Sequence, residues 1–204
     1  ALFFSTGYLA NINAITGLAR LAEQGQASIY SAKLNHASLI DGVRLASSQT
    51  KAKVTLFDHQ KLVSLEESLK QDIHSLKLIV VDGVFSMDGD AADLAGLHGI
   101  AQRHNATLMI DDAHGVGVLG TTGLGSLQAA GLTAKDVPIL VVPAGKALGG
   151  QGALILSSAD IINYLLETAR PSRPAPTRSP SARSPKARTP SLRNTPAIQI
   201  GRAS

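Results

Sequence analysis

Along residues 1–169, apolar and polar positions follow two rhythms. Short, nearly continuous apolar runs fall at 28–30, 54–57, 76–81, 107–110, 139–142 and 152–156, and the chain opens inside another, Ala1-Leu-Phe-Phe. Between them, apolar residues recur at helical spacing. Ile12, Ile15, Leu18 and Leu21 come every three residues, Leu39, Val43 and Leu45 share one face, and Leu62, Leu65 and Leu69 share another. The segment 59–71 carries Lys61, Glu66, Glu67, Lys70 and Gln71 where a helix would meet water, and Ile73 leads into the next run. Strands that are apolar throughout are buried on both faces. Their alternation with helices predicts an α/β domain with a mainly parallel sheet, covered by helices on both sides.

The pattern stops at Arg170. The remaining residues are rich in Pro, Arg and Ser, have no periodicity and offer little apolar surface to offset chain entropy, so a disordered tail is expected. The expected division is an α/β domain over 1–170 and a tail over 171–204. Charge divides the same way. The net charge of +4 arises because eight of the 19 basic residues, and no acid, fall from Arg170 onward, leaving the domain mildly acidic. A basic arm can attract nucleic acid or acidic membranes, but it lacks aromatic residues to stack on bases. Its composition is also what GC-rich DNA encodes out of frame. The abrupt switch favours a frame-shifted or foreign end, and neither a nucleic-acid nor a membrane partner is expected. There is no Cys, hence no disulfide framework or thiolate metal site. With no secretory leader in sight, the cytoplasm is the expected location. An opening without Met, inside a strand, suggests that the natural start is missing.

Several residues with chemical potential come directly after the apolar runs. Leu108-Met-Ile-Asp-Asp-Ala-His-Gly sets Asp111, Asp112 and His114 at the end of one. Aspartate is common in strand-to-loop turns, but open α/β sheets also keep their ligands at the carboxyl ends of strands. Lys146 comes after another run within Ala144-Gly-Lys-Ala-Leu-Gly-Gly-Gln-Gly, and a lysine in such a crowded, glycine-lined place can form a Schiff base. Gly7 and Tyr8 would present N–H groups at a helix start, a seat for phosphate. His36 opens a helix, either as a cap or as a site group. Ser86 stands beside an Asp88-Gly89 turn. No P-loop is present, and Gly115-Val-Gly-Val-Leu-Gly, although it has G-x-G-x-x-G spacing, follows the carboxylates and does not clearly open a helix, so it is not read as a dinucleotide fingerprint. Calcium-loop spacing is lacking as well, and no metal site is expected. Taken together, an amine, a carboxylate, two imidazoles, a hydroxyl and an anion seat come after different strands of one sheet.

Five ordered motifs carry a resemblance. Gly7-Tyr-Leu-Ala-Asn, Lys33-Leu-Asn-His-Ala-Ser-Leu-Ile-Asp-Gly, Asp82-Gly-Val-Phe-Ser-Met-Asp-Gly-Asp, Asp111-Asp-Ala-His-Gly-Val-Gly-Val-Leu-Gly and Gly145-Lys-Ala-Leu-Gly-Gly resemble the α-oxoamine synthases, fold-type I pyridoxal phosphate enzymes. The resemblance runs from residue 1 to about Arg170 and implies the incomplete large domain of such an enzyme. It implies pyridoxal 5′-phosphate as cofactor, joined to Lys146 as a Schiff base, with Lys146 then serving as acid and base. It implies Asp111 on the pyridine nitrogen, His36 stacked on the ring, His114 and Ser86 near the phenolic oxygen, Asp82 in support, and the Gly7 and Tyr8 amides on the phosphate. Asp112 would be a structural neighbour pointing away.

The reaction implied is a decarboxylative condensation of a small amino acid with an acyl thioester. The fourth motif is most similar to members that join L-alanine to pimeloyl-CoA or a pimeloyl carrier protein in biotin synthesis. Members using glycine and acetyl-CoA differ by only a few residues, and a non-catalytic chain with a nucleic-acid-binding tail is a further alternative. The full-length family implies a homodimer. Departures from the pattern are Pro143, where a phosphate-binding Thr or Ser is usual, then Ala144 where a bulkier apolar residue is common, and Ala32 in place of an Asp. The family's N-terminal segment and C-terminal small domain are not recognisable either. The expectation is therefore a fragment with little or no turnover of its own.

Overall fold

The structure, a computed structural model, describes residues 1–168; the expected tail over 171–204 lies outside them. The described chain runs β1 (Leu2–Phe4), α1 (Gly7–Ala19), β2 (Ala27–Ala32), α2 (Ala37–Thr50), β3 (Lys53–Phe57), α3 (Leu62–Lys70), β4 (Leu76–Asp82), α4 (Leu94–Arg103), β5 (Thr107–Asp111), α5 (Ser126–Ala129), β6 (Ile139–Pro143), β7 (Ala153–Leu156) and α6 (Ala159–Thr168). The seven strands form one sheet in the order β1-β7-β6-β5-β4-β2-β3. β3, β2, β4, β5 and β6 are mutually parallel, as the apolar runs predict. β7 runs antiparallel to β6 and to β1. The link 144–152 is too short for the crossover of about a dozen residues that a further parallel strand would need.

Side chains alternate across β4 and divide the interior in two. Leu78 and Val80 face a core built with Ala14, Ile15 and Leu18 of α1, Leu39 and Val43 of α2, and Ile161 and Leu165 of α6. Ile79 and Val81 face the other, with Leu65 and Leu69 of α3 and Leu94 and Leu97 of α4. Both faces of the sheet are therefore covered, which accounts for the unbroken apolar runs.

Three local expectations change. Leu45 is exposed, because the buried stripe of α2 runs Leu39, Val43, Ala46 and a helix turns Leu45 away from it. α3 begins at Leu62, not 59, since the Gln60 amide donates to Asp58 Oδ1 (3.0 Å) and holds the preceding residues in a turn. Ile73 lies 94% exposed in the α3–β4 link.

Candidate active site

The residues singled out by sequence assemble at the carboxyl edge of the parallel strands. Asp82 ends β4 and Asp111 ends β5, and the two are register partners on neighbouring strands. Pro143 ends β6, Lys146 comes after it in a bend, His36 caps the start of α2, and Gly7 opens α1. A cavity of about 300 Å³ lies among them, at the small end of the range for clefts that hold small molecules, roughly 300–1,000 Å³. Gly7, Tyr8, His36, Asp82, Ser86, Asp111, His114 and Lys146 all line it. Lys146, His36, Ser86 and Tyr8 are exposed at its mouth, His114 is half-buried, and Asp82 and Asp111 form its buried floor.

The floor is held by donors from several elements. Asp111 Oδ1 accepts the Ala113 amide (3.0 Å), and Oδ2 accepts Asn11 Nδ2 from α1 (2.5 Å). Asp82 Oδ2 accepts the His36 amide (2.6 Å), while its own amide donates to Asn35 Oδ1 (3.0 Å). Asn35 Nδ2 donates in turn to the Val80 carbonyl (2.9 Å), tying the loop after β2 to β4. Burial pushes the Asp82 carboxyl up to about 7, with the Asp111 charge adding to the rise and the His36 amide opposing it. Burial likewise pushes Asp111 up to about 6, against the pull of the Asn11 and Ala113 hydrogen bonds and the His36 charge. His114 is held below the ordinary imidazole range, first by burial and then by the Lys146 and His36 charges. Both carboxyls are thus raised chiefly by burial, and a positive charge in the cavity would lower them again.

Asp112 turns away from the cavity, as expected. Its carboxylate accepts the Ser126 amide (2.9 Å) and the Ser126 hydroxyl (2.5 Å), and so anchors α5. This pairing explains Gly115, because any Cβ there would collide with Asp112 Oδ1 and Ser126 Oγ.

At the α1 start, the Leu9 amide goes to Thr6 Oγ1 (3.1 Å) and that of Ala10 to the Thr6 carbonyl (3.1 Å). The Gly7 and Tyr8 amides find no acceptor among the described residues, as befits the open end of a helix. A Cβ on Gly7 would stand 3.0 Å from Pro143 Cγ, so the glycine admits close approach of the two segments. The Tyr8 hydroxyl donates to Asp41 Oδ2 (3.0 Å).

Asn11 and Ser38 also line the cavity, and the pattern of the sequence singles out neither. Their signal lies inside the first two motifs. Asn11 lies one helical turn after Gly7, on the same face, and Ser38 lies two residues after His36.

The sequence matches the aminotransferase class I and II family over residues 1–191, and the chain belongs to that family. Within it, the similarity is to α-oxoamine synthases. The chain is 46% identical over 170 residues to the 8-amino-7-oxononanoate synthase of Marinobacter nauticus, covering 83% of this chain and 41% of that protein. It is 47% identical, with the same coverage, to that of Saccharophagus degradans. Among solved structures, a Sphingomonas wittichii serine palmitoyltransferase superposes with a TM-score of 0.73 at 33% identity, covering 83% of this chain and 41% of that one. The Francisella tularensis 8-amino-7-oxononanoate synthase gives 0.67 at 34% identity, covering 82% and 46%. The chain thus spans less than half the length of these relatives.

Proposed function

We propose that residues 1–170 form a pyridoxal-phosphate-binding domain of 8-amino-7-oxononanoate synthase type, whose complete enzyme condenses L-alanine with a pimeloyl thioester as a homodimer in the cytoplasm. The observation that carries this reading is that Lys146, Asp111 and the open amides of α1 line one cavity. The donor set suits the cofactor: an amine for its aldehyde carbon, a buried carboxylate for its ring nitrogen, two imidazoles and a hydroxyl for its ring and phenolic oxygen, and free amides for its phosphate. When bound, the group supplies an electron sink for the carbanion left when alanine loses a proton or CO2.

The chain's own residues then have separate tasks. Lys146 would hold the group through Nζ, and its free amine would be placed to move the proton at the alanine Cα. Asp111 would hold the ring nitrogen in its protonated form, and a cation there would lower the carboxyl from its raised value. His36 covers the ring and excludes water. His114, kept neutral, and Ser86 hold the phenolic oxygen, and Asp82 fixes the His36 backbone. Pro143 brings no hydroxyl and no N–H to the phosphate, so that end is held less firmly than Thr or Ser would hold it.

The test is reductive trapping with borohydride after incubation of the full chain with pyridoxal 5′-phosphate, and then peptide mass mapping. The reading expects one adduct, on the peptide carrying Lys146, abolished in Lys146→Ala. Adducts spread evenly over other lysines would overturn it. Proton exchange at the Cα of alanine, compared with glycine, separates the two candidate amino donors.

A further inference from the structure

We infer that Asn11 is a positioning residue that links the two ends of the cavity: one amide hydrogen holds Asp111, and the other orients the Ser38 hydroxyl, which reinforces the helix cap in keeping the proton of His36 off Nδ1. Asn11 Nδ2 lies 2.5 Å from Asp111 Oδ2 and 2.9 Å from Ser38 Oγ, so both of its hydrogens are committed. The reversed amide would set Oδ1 against a carboxylate oxygen, acceptor against acceptor, which fixes the orientation. Because Ser38 Oγ accepts from Asn11, its own hydrogen is available to His36 Nδ1, 2.7 Å away. The Ser38 backbone amide donates to the same Nδ1 (3.2 Å), as the helix cap requires. A ring nitrogen that receives two donors bears no proton, so neutral His36 carries its proton on Nε2.

A second observation makes the network more than packing. Asn11 is 1% exposed within α1, and its Oδ1 is buried with no partner among the described residues. Buried polar atoms are nearly always paired. A small apolar residue would fill a helix interior without that cost, so the position serves its two donors. The charged and titratable groups around the pair are Asp82 on β4, Asp112 beside Asp111, and His36, His114 and Lys146 at the cavity. The role toward a bound ring rests on the function proposed above; the network does not.

Nitrogen-15 NMR of the full chain labelled at histidine reads the tautomer of His36, assigned by the signal lost in His36→Gln. Carbon-13 labelling at aspartate reads the titration of Asp111. The wild type should show the Nε2–H form of His36. Asn11→Leu should raise the Asp111 midpoint by about one pH unit and give His36 a mixture of tautomers. Ser38→Ala, which keeps the Asp111 contact, should change the His36 signals and leave the Asp111 midpoint in place; it tests the linkage even where Asn11→Leu fails to fold. An Nδ1–H wild type, or folded variants with both readouts unmoved, would overturn the inference. Pyridoxal phosphate binding by the wild type is measured separately, so its absence alongside the expected NMR changes counts against the functional reading and supports the network.

Discussion

At the scale of single residues, Asp82 and Asp111 at the strand ends should make themselves felt through pH. Both carboxyls sit above their ordinary value of 3.8 in the folded chain. Between about pH 4 and 7 the folded chain therefore keeps protons that the unfolded chain has released, and these groups make stability fall as pH rises through that window. Urea midpoints at pH 5 and 7.5 should show the fall. Asp82→Asn should flatten it, stabilising the chain more at pH 7.5 than at pH 5. Asp111→Asn should slow exchange of the alanine Cα proton by about 100-fold, measured by NMR in deuterated buffer with pyridoxal phosphate. Pro143→Thr should bind pyridoxal phosphate about tenfold more tightly in a fluorescence titration, because it adds a hydroxyl donor at the phosphate end. Asp111 was legible because charges after apolar runs stand out, and Asp82 through its motif alone. Asn11 and Ser38 were not, since a neutral polar residue on a helix carries no signal until its partners are placed.

Helices and strands place those residues through packing that sequence reveals unevenly. The parallel strands were readable from their unbroken apolar runs, because burial on both faces leaves no alternation to confuse. The direction of β7 was not, because an apolar run has no orientation; only the short link 144–152 sets it antiparallel. The approach of α1 to α2 depends on Gly42, where a Cβ would lie 2.8 Å from Ile15 Cδ1. Gly42→Val should cost about 1–3 kcal/mol in urea unfolding and move Asn11 with α1, weakening cofactor binding too. At the opposite edge of the sheet, Asp72 accepts from the hydroxyls of Ser28 and Tyr30 and is paired with His74, which joins the start of β2 to the link before β4. These partners hold the Asp72 carboxyl well below its ordinary range despite burial. Its contribution is present above about pH 3.8 and fades below it, opposite in sense to the pair at the cavity.

The molecule as a whole is a sheet with a cavity at the carboxyl ends of its parallel strands, in a chain that spans 41% of the relative from Marinobacter nauticus. In the proposed function, a lysine after β6 and an aspartate ending β5 grip one small molecule from two sides. The most direct measurement is a crystal structure of the full chain grown with pyridoxal 5′-phosphate. The expected result is continuous density from Lys146 Nζ into one ring whose nitrogen lies within hydrogen-bond distance of the Asp111 carboxylate. A cofactor bound elsewhere, or attached at Lys146 with its ring nitrogen away from Asp111, would contradict the account.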